Sequence, residues 1–234
     1  MSDPEIRSPL IEGLADFGQG LLTSNARALY MREIAVLRGV FQNSLNYNPI
    51  RVADTSVGAA GRPYTLGNTV RIPGGGAINI RTLVHECTHV WQYQTQGTRY
   101  ISNSAYHQIM DSSAYNVVIV PRKAFSAYSA ENQAVIVEAY YVDAQRPIVA
   151  PLPGAPPAPP TATTYDPSVS ADPPIGWSRL PDVVNCIRAL RAAQPMTDLE
   201  RYQERLGPTN PVPAVPGTSD REPALIVPLF RVDF

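Results

Sequence analysis

The chain has 234 residues, 44% of them hydrophobic, and its 19 basic and 20 acidic residues give a formal net charge of −1. This length suffices for one catalytic-sized domain with an extension. The scattered charges argue against nucleic acid or an anionic membrane as the main partner, since either would favour a basic patch. No apolar run approaches the roughly 20 residues of a membrane-spanning helix, so we expect no membrane span.

The N-terminus lacks the pattern of an ordinary secretory signal. Residues 1–10 contain two prolines and two acidic side chains, with no basic segment followed by an apolar stretch. We therefore expect synthesis in the cytoplasm without a classical signal peptide. Export, if it occurs, then requires a dedicated machine.

Hydrophobic periodicity predicts an α+β architecture before residue 146. The predicted elements, in chain order, are a helix at Arg27–Leu45, a strand at Ile50–Ala53, a strand or hairpin arm at Tyr64–Ile72, and helices at Asn79–Gln96 and Ala130–Ala144. Gly67 and Asn68 supply a bend in the third element. Gly97 should end the second helix, and Ser129 is a suitable N-cap for the last one.

The composition changes near residue 146. Ten prolines between Pro147 and Pro174 predict an extended linker, or a loop draped over the first domain, across residues 147–176. Residues 177–234 are predicted to form a short helical pair, Trp177–Ala193 and Thr197–Leu206, followed by an extended tail. The apolar ending of that tail predicts packing against the first domain.

One motif in the second predicted long helix indicates metal chemistry. His85 and His89 are one helical turn apart, so both imidazoles point the same way and can bind one Zn²⁺. Glu86 adjoins the first histidine and can reach a water on the metal, as in the His-Glu-x-x-His arrangement of metalloproteases. Cys87 points roughly the opposite way, and we interpret it as a small buried hydrophobe.

A catalytic zinc needs a third protein ligand. Residue Thr95 stands where a metzincin would have its third histidine, so a downstream carboxylate is expected. Glu131 fits best, because it lies in the first turn of a helix whose small Ala134 allows close packing. Asp111 is the alternative ligand.

Two further residues near the motif have open roles. Glu138, two turns beyond Glu131 on the same face, either orients a zinc-bound imidazole or is a solvated surface charge. His107 lies in a polar stretch, where we expect a substrate or transition-state contact more readily than a metal ligand.

The sequence around the motif resembles a known family. Residues 83–92 read Leu-Val-His-Glu-Cys-Thr-His-Val-Trp-Gln and resemble the Leu-Ile-His-Glu-Met-Thr-His-Val-Trp-Gln signature of a family of bacterial zincins. These zincins occur as toxin or effector domains, including C-terminal extensions of the valine-glycine-repeat spike proteins of type VI secretion. Residues 40–52, 64–70 and 125–138 resemble further segments of the family in the same order. The last of these carries the third-ligand role onto Glu131.

The resemblance covers residues 14–146 and departs from the family at three positions. Cys87 replaces Met and Asn132 replaces Gln, which are mild changes, while Val135 stands where an acidic residue is common. This last change shifts any carboxylate support for the metal ligands to Glu138.

The resemblance implies a zincin-like domain over residues 14–146, with a mainly helical core, a small edge sheet beside the cleft and the proline-rich C-terminal extension. It also implies a Zn²⁺ cofactor and a peptide or protein substrate. A secretion spike protein and an immunity protein are the partners it suggests, with a contractile secretion system as the export route.

These expectations define a mechanism. Zn²⁺ held by His85, His89 and Glu131 would activate a water and polarise a peptide carbonyl, with Glu86 as the general base. The substrate is expected to lie extended along a strand whose candidate contact residues are Tyr64, Leu66, Thr69 and Val70. Candidate donors to the developing oxyanion are Tyr106, Tyr115, Tyr128, Tyr140 and Tyr141, and Tyr115 is also a candidate transition-state contact.

Two other functions stay open. The chain could hydrolyse a different amide, such as a cell-wall peptide, or it could be a non-catalytic binding protein stabilised by zinc. Glu86 speaks against the second alternative, because a structural zinc site has no use for a general base.

Overall fold

The structure is a computed structural model that describes residues 26–55, 62–74, 77–97, 116–146, 163–197 and 200. Its helices are α1 (Met31–Phe41), α2 (Ile80–Gln96), α3 (Ala130–Ala144) and α4 (Pro181–Ala192). Its strands are β1 (Ala26–Ala28), β2 (Arg51–Thr55), β3 (Tyr64–Leu66), β4 (Thr69–Pro73), β5 (Val117–Val118) and β6 (Thr164–Tyr165). Two short 3₁₀ turns cover Phe125–Ala127 and Trp177–Arg179. The α+β class predicted from the sequence is confirmed.

The larger sheet is mixed and has the strand order β1-β2-β4-β3. β2 and β4 run parallel, whereas β1–β2 and β3–β4 are antiparallel pairs. β3 and β4 form the predicted hairpin, and Gly67 takes the positive φ of 59° that its turn requires. Within the described sheet, β3 is paired on one side and lies at an edge.

The ends of the two longest helices match the predicted boundaries. The Asn79 side chain accepts a hydrogen bond from the amide of Thr82 at 2.8 Å and caps α2. At the other end, Gly97 has φ 65° and its amide donates to Tyr93 O. The Ser129 hydroxyl accepts from the Asn132 amide at 3.2 Å and caps α3. These caps fix where each helix starts along the chain, and therefore which residues the two helices bring face to face.

The first helix is shorter than predicted, and the prediction of Arg27–Leu45 was wrong at both ends. Residues 26–28 are a strand, because their main chain pairs with β2. Tyr30 is still extended, and its amide donates to the Glu33 carboxylate at 2.7 Å, which starts the helix at Met31. Gln42, with φ 54°, ends the helix after Phe41.

The helix predicted at Trp177–Ala193 is also shorter. A 3₁₀ turn covers Trp177–Arg179, and α4 begins at Pro181, which is favourable at a first helical position because it has no amide hydrogen to leave unbonded. For the helix predicted from Thr197, the Thr197 hydroxyl accepts from the Glu200 amide at 3.2 Å. The remainder of that helix and the tail lie outside the described residues.

Part of the proline-rich stretch is hydrogen-bonded to other parts of the molecule. β6 pairs with β5, which the sequence analysis did not predict. The carboxylate of Asp143, at the end of α3, accepts hydrogen bonds from the Gly176 amide at 3.0 Å and from the Ser178 amide at 2.8 Å. These bonds join the last turn of α3 to the segment that precedes α4.

One hydrophobic core includes residues from both sides of the proline-rich stretch. Its fully buried members include Leu37, Phe41, Ile50, Val70, Leu83, Cys87, Val90, Val135, Ile136, Trp177, Val183 and Leu190. α4 therefore completes the core that α1, α2 and α3 begin.

Among the described helices, none has the length and apolar character to cross a membrane.

This shared core makes a stability prediction for two apolar side chains that are two residues apart. Trp177 is 0% exposed and Ile175 is 77% exposed. Trp177→Ala should lower the free energy of unfolding by about 3–5 kcal/mol, the usual cost of deleting a buried aromatic side chain. Ile175→Ala, the control, should change it by less than about 0.5 kcal/mol. Chemical denaturation measures both, and equal stability of the two variants would contradict the packing described here.

Candidate metal centre

Three buried side chains from α2 and α3 converge on one point. The Nε2 atom of His85 lies 3.4 Å from Glu131 Oε2, and the Nε2 atom of His89 lies 3.3 Å from Glu131 Oε1. Each of the three residues offers one ligand atom, and these three atoms lie within 4.8 Å of one another. The helix spacing brings the imidazoles together, and the cap of α3 holds the first helical turn, which carries Glu131, opposite them.

The spacing suits a small tetrahedral ion. With metal–ligand bonds of about 2.0–2.2 Å, neighbouring ligand atoms in a tetrahedral site lie about 3.3–3.6 Å apart. The two imidazole-to-carboxylate distances fall in this range. The three residues therefore form a group that can hold a metal ion with two nitrogen donors and one oxygen donor.

Electrostatics also favour deprotonated Glu131. Burial alone would raise the pKa of this carboxyl, but the neighbouring charge of His89 and hydrogen bonds with both imidazoles hold the pKa well below its usual range. Glu131 is thus an anion at neutral pH although it is only 1% exposed. An anionic oxygen ligand next to two imidazoles is what a divalent cation needs.

The outer nitrogen of His85 is held by a second carboxylate. His85 Nδ1 lies 2.8 Å from Glu138 Oε2, and Glu138 is buried, so it is not a solvated surface charge. Glu138 is about 10 Å beyond Glu131 along α3 by the helical rise, and the imidazole of His85 spans the space between the two carboxylates. Such a carboxylate keeps the proton on Nδ1 and leaves Nε2 for a metal.

Arg81 connects Glu138 to residues 165–171, which lie within the proline-rich stretch. Its guanidinium forms an ion pair with Glu138, donates to the Tyr165 hydroxyl at 2.5 Å and donates to Ala171 O. Burial alone would raise the pKa of the Glu138 carboxyl, but hydrogen bonding to His85 and the charges of His85 and Arg81 lower it. Glu138 is therefore kept ionised first by His85 and then by Arg81, a residue that the sequence did not predict at the site.

Amide side chains hold the other histidine. His89 Nδ1 lies 2.8 Å from Gln92 Oε1, and the amide nitrogen of Gln92 donates to Gln133 Oε1 at 2.8 Å. Both glutamines are buried. Gln92 is one helical turn after His89, a spacing that could have predicted this contact.

Glu86 lies beside the three converging residues and faces the sheet. The Thr65 hydroxyl, on β3, contacts Glu86 Oε2 at 2.8 Å and Glu86 O at 3.1 Å. Glu86 and Thr65 are both buried. The acidic residue of the motif is therefore positioned by the strand that forms the edge of the sheet.

The predicted substrate residues differ in position. Tyr64 and Leu66 lie on β3, the edge strand. Thr69 and Val70 lie on β4, whose main chain is paired with β2 on one side and β3 on the other. β4 thus has no unpaired main-chain edge to which a peptide could add. Of the two strands that carry the predicted contact residues, β3 is the one at which we expect a peptide to bind.

The remaining predicted site residues either lie outside the described residues or have other partners. His107, Tyr106, Asp111 and Tyr115 lie outside the described residues. The Tyr128 hydroxyl accepts a hydrogen bond from the Val120 amide at 3.0 Å, and the Tyr140 ring faces Arg191 at 5.8 Å. The oxyanion donor stays unassigned among the tyrosines.

The fold and the site define an α+β protein with a buried two-histidine, one-glutamate candidate metal centre, and comparison with known proteins gives it relatives. No family model matches the chain. An alignment over 135 residues, which covers 50% of this chain, gives 30% identity to the type VI secretion system spike protein VgrG2b of Pseudomonas aeruginosa and covers 13% of that protein. The solved effector domain of Pseudomonas aeruginosa VgrG2b is 26% identical, covers 58% of this chain and 87% of its own, and superposes with a TM-score of 0.46. The matched half of this chain is therefore homologous in sequence to a part of VgrG2b.

The arrangement predicts how strongly each carboxylate affects metal binding. One Zn²⁺ should bind per chain, and Glu131→Ala should strongly weaken or abolish this binding because it removes a direct ligand. Glu138→Ala should weaken zinc binding by about 10–100-fold, the usual effect of removing the hydrogen-bond partner of a metal ligand. Competition with a chromophoric chelator measures both dissociation constants. Equal losses in the two variants, or an unaffected Glu131→Ala, would contradict the assignment.

Proposed function

We propose that this chain is a zinc-dependent endopeptidase in which His85, His89 and Glu131 hold the metal and Glu86 is the general base. The observation that carries the proposal is the convergence of two imidazole Nε2 atoms on one buried carboxylate, at 3.4 and 3.3 Å, with Glu86 next to them in the sequence.

The donor set favours zinc over other common divalent ions. Magnesium and calcium prefer all-oxygen sites with six or more ligands, whereas zinc is typically held by imidazole and carboxylate in a tetrahedral arrangement. Cys87, the nearest sulfur ligand in sequence, is fully buried in the hydrophobic core and is not part of the group. The site thus offers two nitrogens and one carboxylate, a ligand set of known catalytic zinc enzymes.

The number of ligands favours catalysis over a structural role. Structural zinc sites have four protein ligands, while catalytic sites have three and keep one position for water or substrate. Among the described residues, no fourth His, Cys, Asp or Glu joins the group. Glu86, buried beside it, would be a costly side chain to keep in a purely structural site.

The mechanism assigns one task to each side chain. A Zn²⁺ ion held by His85, His89 and Glu131 would supply Lewis acidity, which lowers the pKa of water and polarises a carbonyl oxygen. Glu86 accepts the proton of the attacking water and then donates it to the leaving amine. Thr65, through its contact with Glu86 Oε2, keeps that carboxylate in one orientation. Glu138 and Gln92 hold the outer nitrogens of the two imidazoles, so that both Nε2 atoms point inward.

The edge strand supports a peptide as the substrate. An extended peptide can add to β3 through main-chain hydrogen bonds, a mode of recognition that tolerates many side chains. Thr65 lies in the middle of β3 and contacts Glu86, so a peptide on this strand would run past the general base. Tyr64 and Leu66, the other residues of the strand, are half-buried, and we propose that a peptide bound along the strand contacts them.

The homology supports a place in type VI secretion. Because the related domain of VgrG2b is an effector of a secretion spike protein, we propose that this chain also acts as a delivered effector, with a spike protein and an immunity protein as partners. The matched part is 13% of VgrG2b, so this part of the proposal concerns the effector portion alone.

Replacement of the base should separate metal binding from chemistry. Glu86→Gln keeps the size of the side chain and should retain zinc, while peptide hydrolysis should fall by at least about 10²-fold. Glu33→Gln is the matched control: it removes the charge of another buried glutamate, one that caps α1 and contacts Arg27. The control should lose stability and keep the activity per folded molecule.

The assay should use an unbiased peptide library, with casein and isolated cell-wall peptides alongside. Cleavage within library peptides supports the endopeptidase, whereas cleavage of cell-wall peptides alone would support the amide-hydrolase alternative. Wild-type activity in Glu86→Gln would exclude Glu86 as the base. Absence of hydrolysis by a zinc-loaded protein with all substrates would favour the non-catalytic alternative.

A further inference from the structure

A chain of hydrogen bonds leads from His89 away from the metal centre. His89 Nδ1 contacts Gln92 Oε1 at 2.8 Å, and Gln92 Nε2 contacts Gln133 Oε1 at 2.8 Å and Ala130 O at 3.0 Å. His89, Gln92 and Gln133 are 0%, 1% and 4% exposed, so solvent has little access to the chain.

The chain ends on main-chain carbonyls. Gln133 Nε2 donates to Phe125 O at 3.1 Å and to Tyr128 O at 3.0 Å. These carbonyls lie in and next to the 3₁₀ turn that precedes α3. A carbonyl oxygen can only accept, so the atom of Gln133 that faces these two oxygens must be its NH₂ group.

This fixed end sets the direction of every bond in the chain. Because the NH₂ group of Gln133 faces the turn, its carbonyl oxygen faces Gln92. The group of Gln92 that meets this oxygen, and Ala130 O, must then be its NH₂, which turns the oxygen of Gln92 toward His89. That oxygen accepts a hydrogen bond only if His89 carries its proton on Nδ1. In the neutral form of His89 that can bind a metal, the lone pair is then on Nε2, the atom that faces Glu131.

We propose that Gln92 and Gln133 are positioning residues that fix the tautomer and ring orientation of His89 for metal binding. The inference rests on the metal centre of the proposed function. It adds that metal affinity depends on two residues that are not metal ligands. Gln133, whose three side-chain hydrogen bonds go to Gln92 and to the turn, should influence metal affinity through Gln92. His85 reaches the same tautomer by a different route, a carboxylate, which accepts hydrogen bonds with either oxygen and requires no such directional chain.

Gln133 has a second possible effect that the experiment must separate. It anchors the turn before α3, and Glu131 projects from the first turn of that helix. A purely structural role of Gln133 would displace Glu131, and this effect would be independent of Gln92. The two roles therefore differ in whether the loss caused by replacing Gln133 depends on Gln92.

A double-mutant cycle on zinc affinity makes this distinction. Gln92→Met, Gln133→Met and the double variant keep the side-chain length and remove the hydrogen bonds. Zinc dissociation constants are measured on metal-free protein by chelator competition. Gln92→Met should weaken binding by about 10–100-fold, Gln133→Met should cause part of this loss, and the double variant should bind no more weakly than Gln92→Met.

Gln94→Met is the matched control. Gln94 is on the same helix, is 1% exposed, and has the same kind of buried amide contacts, to Asn46 O and Asn68 Oδ1, both at 2.9 Å. Its replacement should lower the melting temperature and leave zinc affinity unchanged.

Additive losses in the cycle, or full affinity in Gln92→Met, would overturn the proposal. If the variants do not fold, a measurement on the wild-type protein tests the proposal. NMR of the zinc-loaded protein with ¹⁵N-labelled histidine should show His89 with a protonated Nδ1 and a metal-bound Nε2. A metal-bound Nδ1 would overturn the role of Gln92 and Gln133 but leave the metal centre in place. Failure of the wild-type protein to bind zinc would overturn the metal centre and this inference with it.

Discussion

The cost of burying charge between two packed helices is the constraint on which the rest of the site depends. α2 and α3 bring His85, Glu86, His89, Glu131 and Glu138 into the interior. A buried carboxylate without partners costs several kcal/mol, because water no longer solvates it. The helix pair can therefore exist in this form only if each of these groups meets a partner of suitable charge or hydrogen-bonding capacity.

The partners come from four separate parts of the chain. Thr65 on β3 contacts Glu86, Arg81 at the start of α2 pairs with Glu138, and the two glutamines continue from His89 to the turn before α3. Arg81 in turn contacts Tyr165 and Ala171, which lie within the proline-rich stretch. This part of the stretch is therefore joined to the same network as the candidate metal ligands, and Tyr165 also belongs to the hydrophobic core.

Much of this arrangement follows from local sequence signals. Helix caps at Asn79 and Ser129 and the turn at Gly67 are short-range features, and the structure confirms the boundaries and the hairpin that they predict. The spacing of His85 and His89 follows from the helical repeat. The approach of Glu131 was expected from its position in the first turn of a capped helix, and the structure brings it to both imidazoles.

The failures have a common cause, which is that long-range pairing leaves little local signal. Residues 26–28 are too few to show alternation, and only their pairing with β2 makes them a strand. The central position of β4, which closes its main chain to a substrate, depends on the parallel partner β2. Arg81 and Thr65 were missed for the same reason, since their partners lie 57 and 21 residues away.

The central claim is that the convergence of His85, His89 and Glu131 is a zinc site. Anomalous diffraction at the zinc edge, on crystals grown with one equivalent of zinc, tests it most directly. The account predicts one strong peak at about 2.0–2.2 Å from both Nε2 atoms and one Glu131 oxygen. A peak on other ligands, or a well-ordered site without zinc at full loading, would contradict it.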